Sequence, residues 1–381
     1  MFTKKRKVLI SCSYAGSLIN FRGKLIQELI KENEVYAFVP KNYNERVRQV
    51  LTGWGVKIYE NNLKRNSVSL IGDLQYIVQL YKVIREIKPD LFFAYTFKPI
   101  IYGSMVASFC KVKAICSMLT GLGYTFVRES KVSVTQELTK GLLKFSLKPN
   151  KDIKIIFQNS DDYNQLMTSR IIDERNKAFV VNGSGVDLSH YSYTEPDTKE
   201  ISFLMMARLV RSKGIKEFYE AAVKIREKYP RVRFKYLGSE DKGVDSIEID
   251  LLKKIKSNDV IEFYGQVADV RPYIEGSSVI VLPSFYGEGT PRSILEAMAM
   301  GRAVITTSAP GCRETVNPYP EKANGFIIPV RDAGALAEKM EFFINHPDKI
   351  SEYGYNGRLY AEDRYDVNKV NQQMMQIFAL N

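Results

Sequence analysis

Histidine is almost absent from this chain: two in 381 residues, His190 and His346. Neither ends an apolar run, and no D-x-D triplet occurs, so a His-based triad and metal catalysis have little support. Cysteine is scarce as well. The four, Cys12, Cys110, Cys116 and Cys312, form no C-x-x-C pair and no zinc spacing, which fits reduced thiols in a cytosol. No apolar stretch approaches the roughly 18 residues of a spanning helix, because Lys98 and Pro99 cut one run and Lys111 ends the next. A secretory leader is not expected, since after "KKRK" only "VLI" precedes the polar Ser11, Ser13 and Gly16. The dinucleotide fingerprint is missing too: "GLGYTF" (121–126) and "GSG" (183–185) lack the third glycine and the following acid. Whatever chemistry occurs must rest on Arg, Lys, carboxylates and backbone amides.

What is present is apolar content of 45% with 26% charged residues, enough to bury two sizeable cores. The charge is lopsided. Residues 1–190 carry 29 Lys and Arg against 16 Asp and Glu, whereas the remainder is nearly neutral, so the whole excess of the net +12 sits in the first half. Such a half-molecule attracts nucleic acid, an anionic membrane surface or a phosphate-bearing acceptor, although scattered solubilising lysines give the same total.

Strand-like and helix-like segments alternate along the chain. Strands are expected at 7–12, 34–39, 56–60, 90–95, 114–119, 153–158 and 178–182, then at 201–207, 232–238, 260–265, 279–284, 303–307 and 325–330. These runs are continuously apolar, as strands buried on both faces of a parallel sheet should be. Between them, Leu74, Ile77, Val78, Tyr81, Ile84 and Ile87 recur at helical spacing, and Pro89 ends that helix. The polar piece "YSYTEPDTKE" (191–200) reads as a linker, and a long helix is expected after about residue 351. The fold class is therefore α/β, two doubly wound Rossmann-like parallel-sheet domains facing across a cleft. The two domains would span residues 1–190 and 196–355, and 356–381 would form a helix packing back on the first.

Open α/β sheets bind ligands beyond the carboxyl ends of their strands, so residues just after a strand carry the functional expectation. "ARLVRSKGIKEF" (207–218) puts Arg208 and Lys213 between a buried strand and an amphipathic helix, where cations can grip a pyrophosphate. "FYGEGTPRSILEA" (285–297) puts Glu288 in a loop and Glu296 in the following helix, with Thr290 expected to cap it and Pro291 at its first position. Gly287 and Gly289 let backbone amides approach a ligand. A basic solvated loop and a capped surface helix are the plainer alternatives for these two segments.

Together, "E-G-x-P" with the later glutamate, the preceding "LPS" and "R-x4-K-G" (208–214) resemble the retaining nucleotide-sugar glycosyltransferases of family 4, which have the GT-B fold. Similarity continues through "FKPIIYGS" (97–104), "TGLGYTF" (120–126), "FQNSDD" (157–162), "NGSGVDL" (182–188) and "EAMAMGRAVITTSAPGCRE" (296–314), nearly the whole chain. It looks closest to the bacterial branch that extends surface polysaccharides or undecaprenyl-diphosphate-linked oligosaccharides with hexose or N-acetylhexosamine. By that resemblance, residues 1–190 would bind the acceptor and 196–355 the nucleotide sugar; Arg208 and Lys213 would hold the diphosphate of a UDP-sugar, Glu288 the transferred sugar and Glu296 the ribose. Gly289 and Thr290 would join the donor contacts, Val267 would meet the base through its backbone, and Gly16 would approach the phosphate and acceptor. No cofactor and no metal is implied. Two departures touch sugar identity: Thr120 stands where many members have a histidine or acid, and Gly287 where this branch often has a basic residue.

The acceptor expected is an undecaprenyl-diphosphate-linked saccharide, which places the protein in the cytoplasm, peripheral on the inner face of the membrane. "VTQELTKGLLKFSLK" (134–148) supports an anionic membrane partner, with Val134, Leu138, Leu142 and Phe145 on one stripe and Lys140, Lys144 and Lys148 on a row. An ordinary sheet-covering helix fits the same pattern. Lys64 and Arg65 would meet acceptor phosphates. A GT-B sugar-nucleotide 2-epimerase is the rival enzyme, disfavoured by the missing acid/base residues. A nucleic-acid-binding protein has the basic half in its favour but no recognised motif, and nucleic acid is not an expected partner.

Overall fold

The structure is a computed structural model, and it describes residues 5–63, 70–126, 134–148, 150, 152–241, 243 and 245–379. Lys64 and Arg65 lie outside the described residues.

Two compact units divide the chain, one formed by Met1–Ser184 with Asn368–Asn381, the other by Gly185–Val367. The first unit holds strands β1 (Arg6–Ser11), β2 (Asn33–Pro40), β3 (Lys57–Asn61), β4 (Leu91–Tyr95), β5 (Ala114–Met118), β6 (Ile153–Phe157) and β7 (Lys177–Val180). They form one parallel sheet in the order β3-β2-β1-β4-β5-β6-β7. Its helices are α1 (Gly16–Asn20), α2 (Gly23–Glu32), α3 (Glu45–Gly53), α4 (Leu70–Ile87), α5 (Phe97–Phe109), α6 (Val134–Leu147) and α7 (Ser160–Thr168).

The second unit repeats the plan with β8 (Ser202–Met206), β9 (Arg233–Leu237), β10 (Glu262–Gly265), β11 (Val279–Leu282), β12 (Ala303–Thr307) and β13 (Gly325–Ile328). The order is β10-β9-β8-β11-β12-β13, again parallel throughout. Its helices are α8 (Ile215–Lys228), α9 (Ile249–Lys256), α10 (Arg271–Glu275), α11 (Arg292–Ala299), α12 (Ala333–Asn345) and α13 (Pro347–Tyr360), and α14 (Val367–Ala379) follows. Every strand expected from the apolar runs is present within two residues at either end. β1, β4, β5, β6, β8, β11 and β12 hold four or more consecutive buried residues, as double-sided cover requires.

Helices cover both faces of the first sheet. α2, α3 and α14 pack one face through Leu25, Leu29, Leu51, Met374 and Phe378; α4 to α7 pack the other through Tyr76, Leu80, Ile100, Leu143 and Leu166. Side-chain caps fix several starts: Asn44 accepts from Val47 N, Asn159 from Asp162 N and Asp332 from Ala335 N. α4 forms as its spacing predicts, but its apolar residues divide between two faces. Tyr76, Leu80, Val83, Ile84 and Ile87 are buried, whereas Leu74, Val78 and Tyr81 are exposed.

The division between the units falls at 184/185, not in the polar piece near 195. Val186 N donates to Tyr365 O at 2.7 Å and Val367 N to Val186 O at 3.0 Å, so the chain enters and leaves the second unit side by side. Gly185 has φ +68°, and a Cβ there would lie 2.6 Å from Val367 Cα. Residues 187–194 are then anchored by two arginines. The fully buried Arg302 guanidinium donates to Thr194 O at 2.5 Å, to Ile274 O and Glu275 O at the end of α10, and to Met300 O at the end of α11. One cation thus satisfies carbonyls at two helix C-termini, where the helix dipole favours positive charge. Arg358 does the same for Tyr191 O at 3.0 Å and Ala299 O at 2.7 Å. Polar composition marks a linker, yet its Tyr191 and Thr194 carbonyls are held by the two arginines.

The expected C-terminal helix is two helices separated by a π turn at Ala361–Tyr365. Residues up to Val367 belong to the second unit. From Asn368 the chain groups with the first, where the Phe378 ring lies 5.0 Å from that of Phe93 and Lys154 Nζ donates to Ile377 O at 2.9 Å.

Candidate functional site

In each sheet the strand order reverses direction at one place, between β1 and β4 and between β8 and β11. Loops leaving adjacent strands at such a point diverge and leave room for a ligand. Both charged segments singled out above leave the second of these points.

After β8 the chain runs through Arg208, makes a tight turn at Arg211–Lys213 and enters α8 through Gly214. After β11 it forms the loop 283–291 that leads into α11. Lys213 and Glu288 form an ion pair there, with side chains only 15% and 12% exposed. Ser284 Oγ lies 3.0 Å from Glu288 Oε1 and 3.1 Å from Ser212 O, and Phe285 N donates to Ser212 O at 3.0 Å, so the loops are bonded to each other. The Tyr286 ring faces Lys213 Nζ at 5.7 Å.

Two glycines make this close approach possible. Gly214 has φ +78°, and a Cβ there would sit 2.1 Å from Pro283 O; Gly311 also has φ +78°, and its Cβ would sit 2.3 Å from Gly289 O. Glu288 N donates to Pro310 O at 3.1 Å, which fixes the loop from the other side. Behind it the buried Cys312 thiol has its pKa pushed up by burial and by the Glu288 charge.

Arg208 reaches Asp241 at 2.5 Å, and Ser212 Oγ bonds Asp245. Glu296 is not joined to Glu288. It pairs with Arg292 one helical turn earlier, at 2.9 Å, with its own side chain 13% exposed. Burial raises the Glu296 pKa, and the charge of Arg292 and a hydrogen bond from Tyr191 pull it part of the way back. The Tyr191 hydroxyl is pushed up by burial and then by Glu296. Val267 lies two residues past β10, half-buried against the core of the second unit.

One local expectation is corrected. Pro291, with ψ 114°, takes the cap position expected of Thr290, and the helix starts one residue later, at Arg292. Gly289 is buried and Thr290 half-buried in the loop beside Glu288.

At the corresponding point of the first unit the groups are uncharged hydroxyls. Gly16 is buried at the start of α1, where a Cβ would meet the exposed Tyr14 ring at 2.7 Å. Thr96, just past β4, takes φ +71° and ψ 149°, a region that suits glycine, and its Oγ1 is 2.9 Å from Ser13 Oγ. Beside it Lys98 Nζ reaches the buried Asp73 at 2.6 Å, and Tyr102 donates to the same carboxylate at 2.9 Å.

Sequence reasoning missed Asp241, Asp245, Ser284, Tyr191, Arg292 and Gly311. Ser284 and Arg292 stand inside the quoted segments and were legible as polar neighbours. Asp241 and Asp245 lie some thirty residues from their partners, with no local pattern to connect them. Among the described residues no group of three or more His, Cys, Asp or Glu side chains is arranged to hold a metal, and no helix is long and apolar enough to cross a membrane.

Two parallel doubly wound sheets, the second bearing the cation and glutamate loops, define a GT-B protein. Comparison with known proteins gives the family. Residues 192–360 match the model for glycosyl transferases group 1, and 44–159 that for glycosyl transferase 4-like domains. The chain is 26% identical, over 96% of each sequence, to the N,N'-diacetylbacillosaminyl-diphospho-undecaprenol alpha-1,3-N-acetylgalactosaminyltransferase of Campylobacter jejuni. It is 24% identical to an Escherichia coli UDP-Gal:alpha-D-GlcNAc-diphosphoundecaprenol alpha-1,3-galactosyltransferase, over 70% of this chain and 69% of that one. Among solved structures, Anabaena HepE in complex with UDP and glucose superimposes with a TM-score of 0.76 at 18% identity, covering 97% of this chain and 98% of that one. The chain belongs to the family 4 GT-B glycosyltransferases, and it is a glycosyltransferase.

Proposed function

We propose that the protein transfers a hexose or N-acetylhexosamine from a UDP-sugar to an undecaprenyl-diphosphate-linked saccharide, with retention of anomeric configuration, in bacterial surface glycan synthesis. The observation that carries the reading is the Lys213–Glu288 pair, brought to the switch point of the second sheet with Arg208 on the same β8 loop. The two named bacterial relatives, both described as acting on undecaprenol-linked diphosphates, support the acceptor class. The 2-epimerase alternative is not favoured, since the matching models and relatives are transferases.

As the anomeric C–O bond breaks, negative charge develops on the leaving diphosphate. Arg208 and Lys213, both carried by the loop after β8, compensate that charge, the service a metal ion performs in other transferases. Lys213 can turn from Glu288 to the phosphate, which frees Glu288 to accept from hydroxyls of the transferred sugar. Glu296, held by Arg292 and Tyr191, accepts from the ribose, Gly289 and Thr290 line the donor loop, and the Val267 backbone meets the base. The acceptor hydroxyl attacks on the face the UDP leaves; its proton passes to a phosphate oxygen and the new glycosidic bond forms there. Gly16 in the first unit belongs to the acceptor and phosphate approach. A lipid-linked acceptor requires work at the inner face of the cytoplasmic membrane, to which the protein binds peripherally. The test is UDP release by purified protein at saturating donor with a lipid-diphosphate acceptor. Lys213→Ala should lower turnover by about 10²-fold to 10³-fold, and unchanged turnover removes the assigned role.

A further inference from the structure

Large exposed apolar side chains are unevenly spread in the first unit. The helix layer formed by α4, α5 and α6 carries most of them, while α2 and α3 on the opposite face of the sheet carry none among the described residues. On α4, Ile71 (75% exposed), Leu74 (61%), Val78 and Tyr81 follow one another at three- and four-residue steps along the outer side. The inner side of the same helix is filled by Tyr76, Leu80, Ile84 and Ile87. A helix apolar on both faces needs a second apolar surround, and among the described residues nothing in the first unit supplies it.

The stripe continues sideways. The Tyr81 ring lies 6.1 Å from that of Phe109, which ends α5 and is 77% exposed. α5 packs against α6, whose outer side shows Val134 (85% exposed), Leu138 and Phe145. Leu142, expected on that stripe, turns inward against the core. Exposed cations stand among these groups, Lys82 and Arg85 on α4, Lys111 after α5 and Lys144 on α6, and they outnumber the exposed acids there, Glu86 on α4 and Glu137 on α6.

We propose that the outer face of α4, the end of α5 and the outer face of α6 form one surface that docks on a bilayer containing anionic phospholipid. Charge selects this occupant over a second copy of the chain. Apolar groups interleaved with lysine and arginine match the acyl boundary and the phosphate layer of such a bilayer, whereas two copies of this face would oppose their cations. The inference rests on the reading of a lipid-linked acceptor for its purpose, and gives that reading a place on the molecule.

The experiment is co-sedimentation of the full chain with vesicles of phosphatidylglycerol and phosphatidylethanolamine, against phosphatidylcholine alone, at several salt concentrations. Wild type should prefer the anionic vesicles and lose affinity with salt. Leu74→Asp/Val78→Asp on α4 and, separately, Phe145→Asp on α6 should each weaken binding about tenfold or more. Lys82→Gln/Arg85→Gln should remove part of the anionic preference. Ile249→Asp, an equally exposed apolar position in the second unit, should change nothing. Unchanged melting and UDP binding keep misfolding apart from lost docking. If wild type binds vesicles but the α4 and α6 variants bind as well as it does, this surface is wrong and the membrane reading stands. If wild type ignores anionic vesicles, the surface and the peripheral location both fall, while UDP release with a soluble acceptor analogue still tests transfer. A dimer in solution that Leu74→Asp/Val78→Asp dissociates would also overturn the proposal.

Discussion

The two units share a strand order around their switch points and differ in what they place there. The loops after β8 and β11 are charged and locked together, by Lys213 with Glu288 and by the Ser212 and Ser284 contacts. Those after β1 and β4 meet through two neutral hydroxyls, Ser13 and Thr96, while Lys98 of α5 is paired with Asp73 of α4. Topology therefore supplies two equivalent mouths, and the residues in the first few positions after each strand decide their chemistry. Fixed cations suit a leaving diphosphate. A strained, uncharged turn suits a site that must position a hydroxyl without holding it tightly.

Four measurements sharpen that contrast. The largest effect is the kinetic loss of Lys213→Ala in the charged mouth; the same substitution leaves Glu288 without its cation in a mostly buried place and should cost about 2–3 kcal/mol of stability as well. Lys213→Ala/Glu288→Gln should regain much of that stability in denaturant melts and none of the turnover, which separates folding from chemistry. Next comes Gly214→Ala, which adds a left-handed strain to a 2.1 Å clash with Pro283 O and should destabilise by about 2–4 kcal/mol. Gly16→Ala in the other mouth meets only the movable Tyr14 ring, and its loss should stay below about 1 kcal/mol. Similar losses at both glycines would erase the distinction.

Thr96→Gly should relax the backbone by about 1 kcal/mol, offset by the lost contact with Ser13, while slowing transfer at low acceptor concentration. A variant that is less stable and equally active would show the strain to be incidental. The smallest effect is Glu296→Gln. The Glu296 pKa is raised on folding, so the folded state binds its proton more tightly than the unfolded chain does. Its contribution is most favourable below the ordinary glutamate value of 4.5 and is lost as pH rises through the folded value. The variant should therefore show a flatter decline of stability above that pH, measured by chemical denaturation across a pH series.

The sequence announced the sheets because parallel strands buried on both faces are written as unbroken apolar runs. It announced Lys213 and Glu288 because cations, acids and glycines just past such runs have few structural reasons to be there. Partners far apart in the chain were not legible: nothing around Asp241 or Asp245 points back to Arg208 and Ser212. The unit boundary was misplaced for a related reason. It is set by Val186 meeting Tyr365 and Val367, and by Arg302 and Arg358 gripping a polar stretch that composition alone marks as loose. On α4, helical spacing found the helix but could not say which apolar residues turn toward the sheet, because both sides are apolar.

The position of α14 has a consequence for biogenesis. Met374, Ile377 and Phe378 fill a groove beside Val8 and Phe93, yet residues 185–367 are translated between that groove and its filling. On the ribosome the amino-terminal half must wait, its hydrophobic flank uncovered, until the whole carboxyl-terminal half has emerged. Truncation after Val367 should accordingly damage the half made first and spare the half made last.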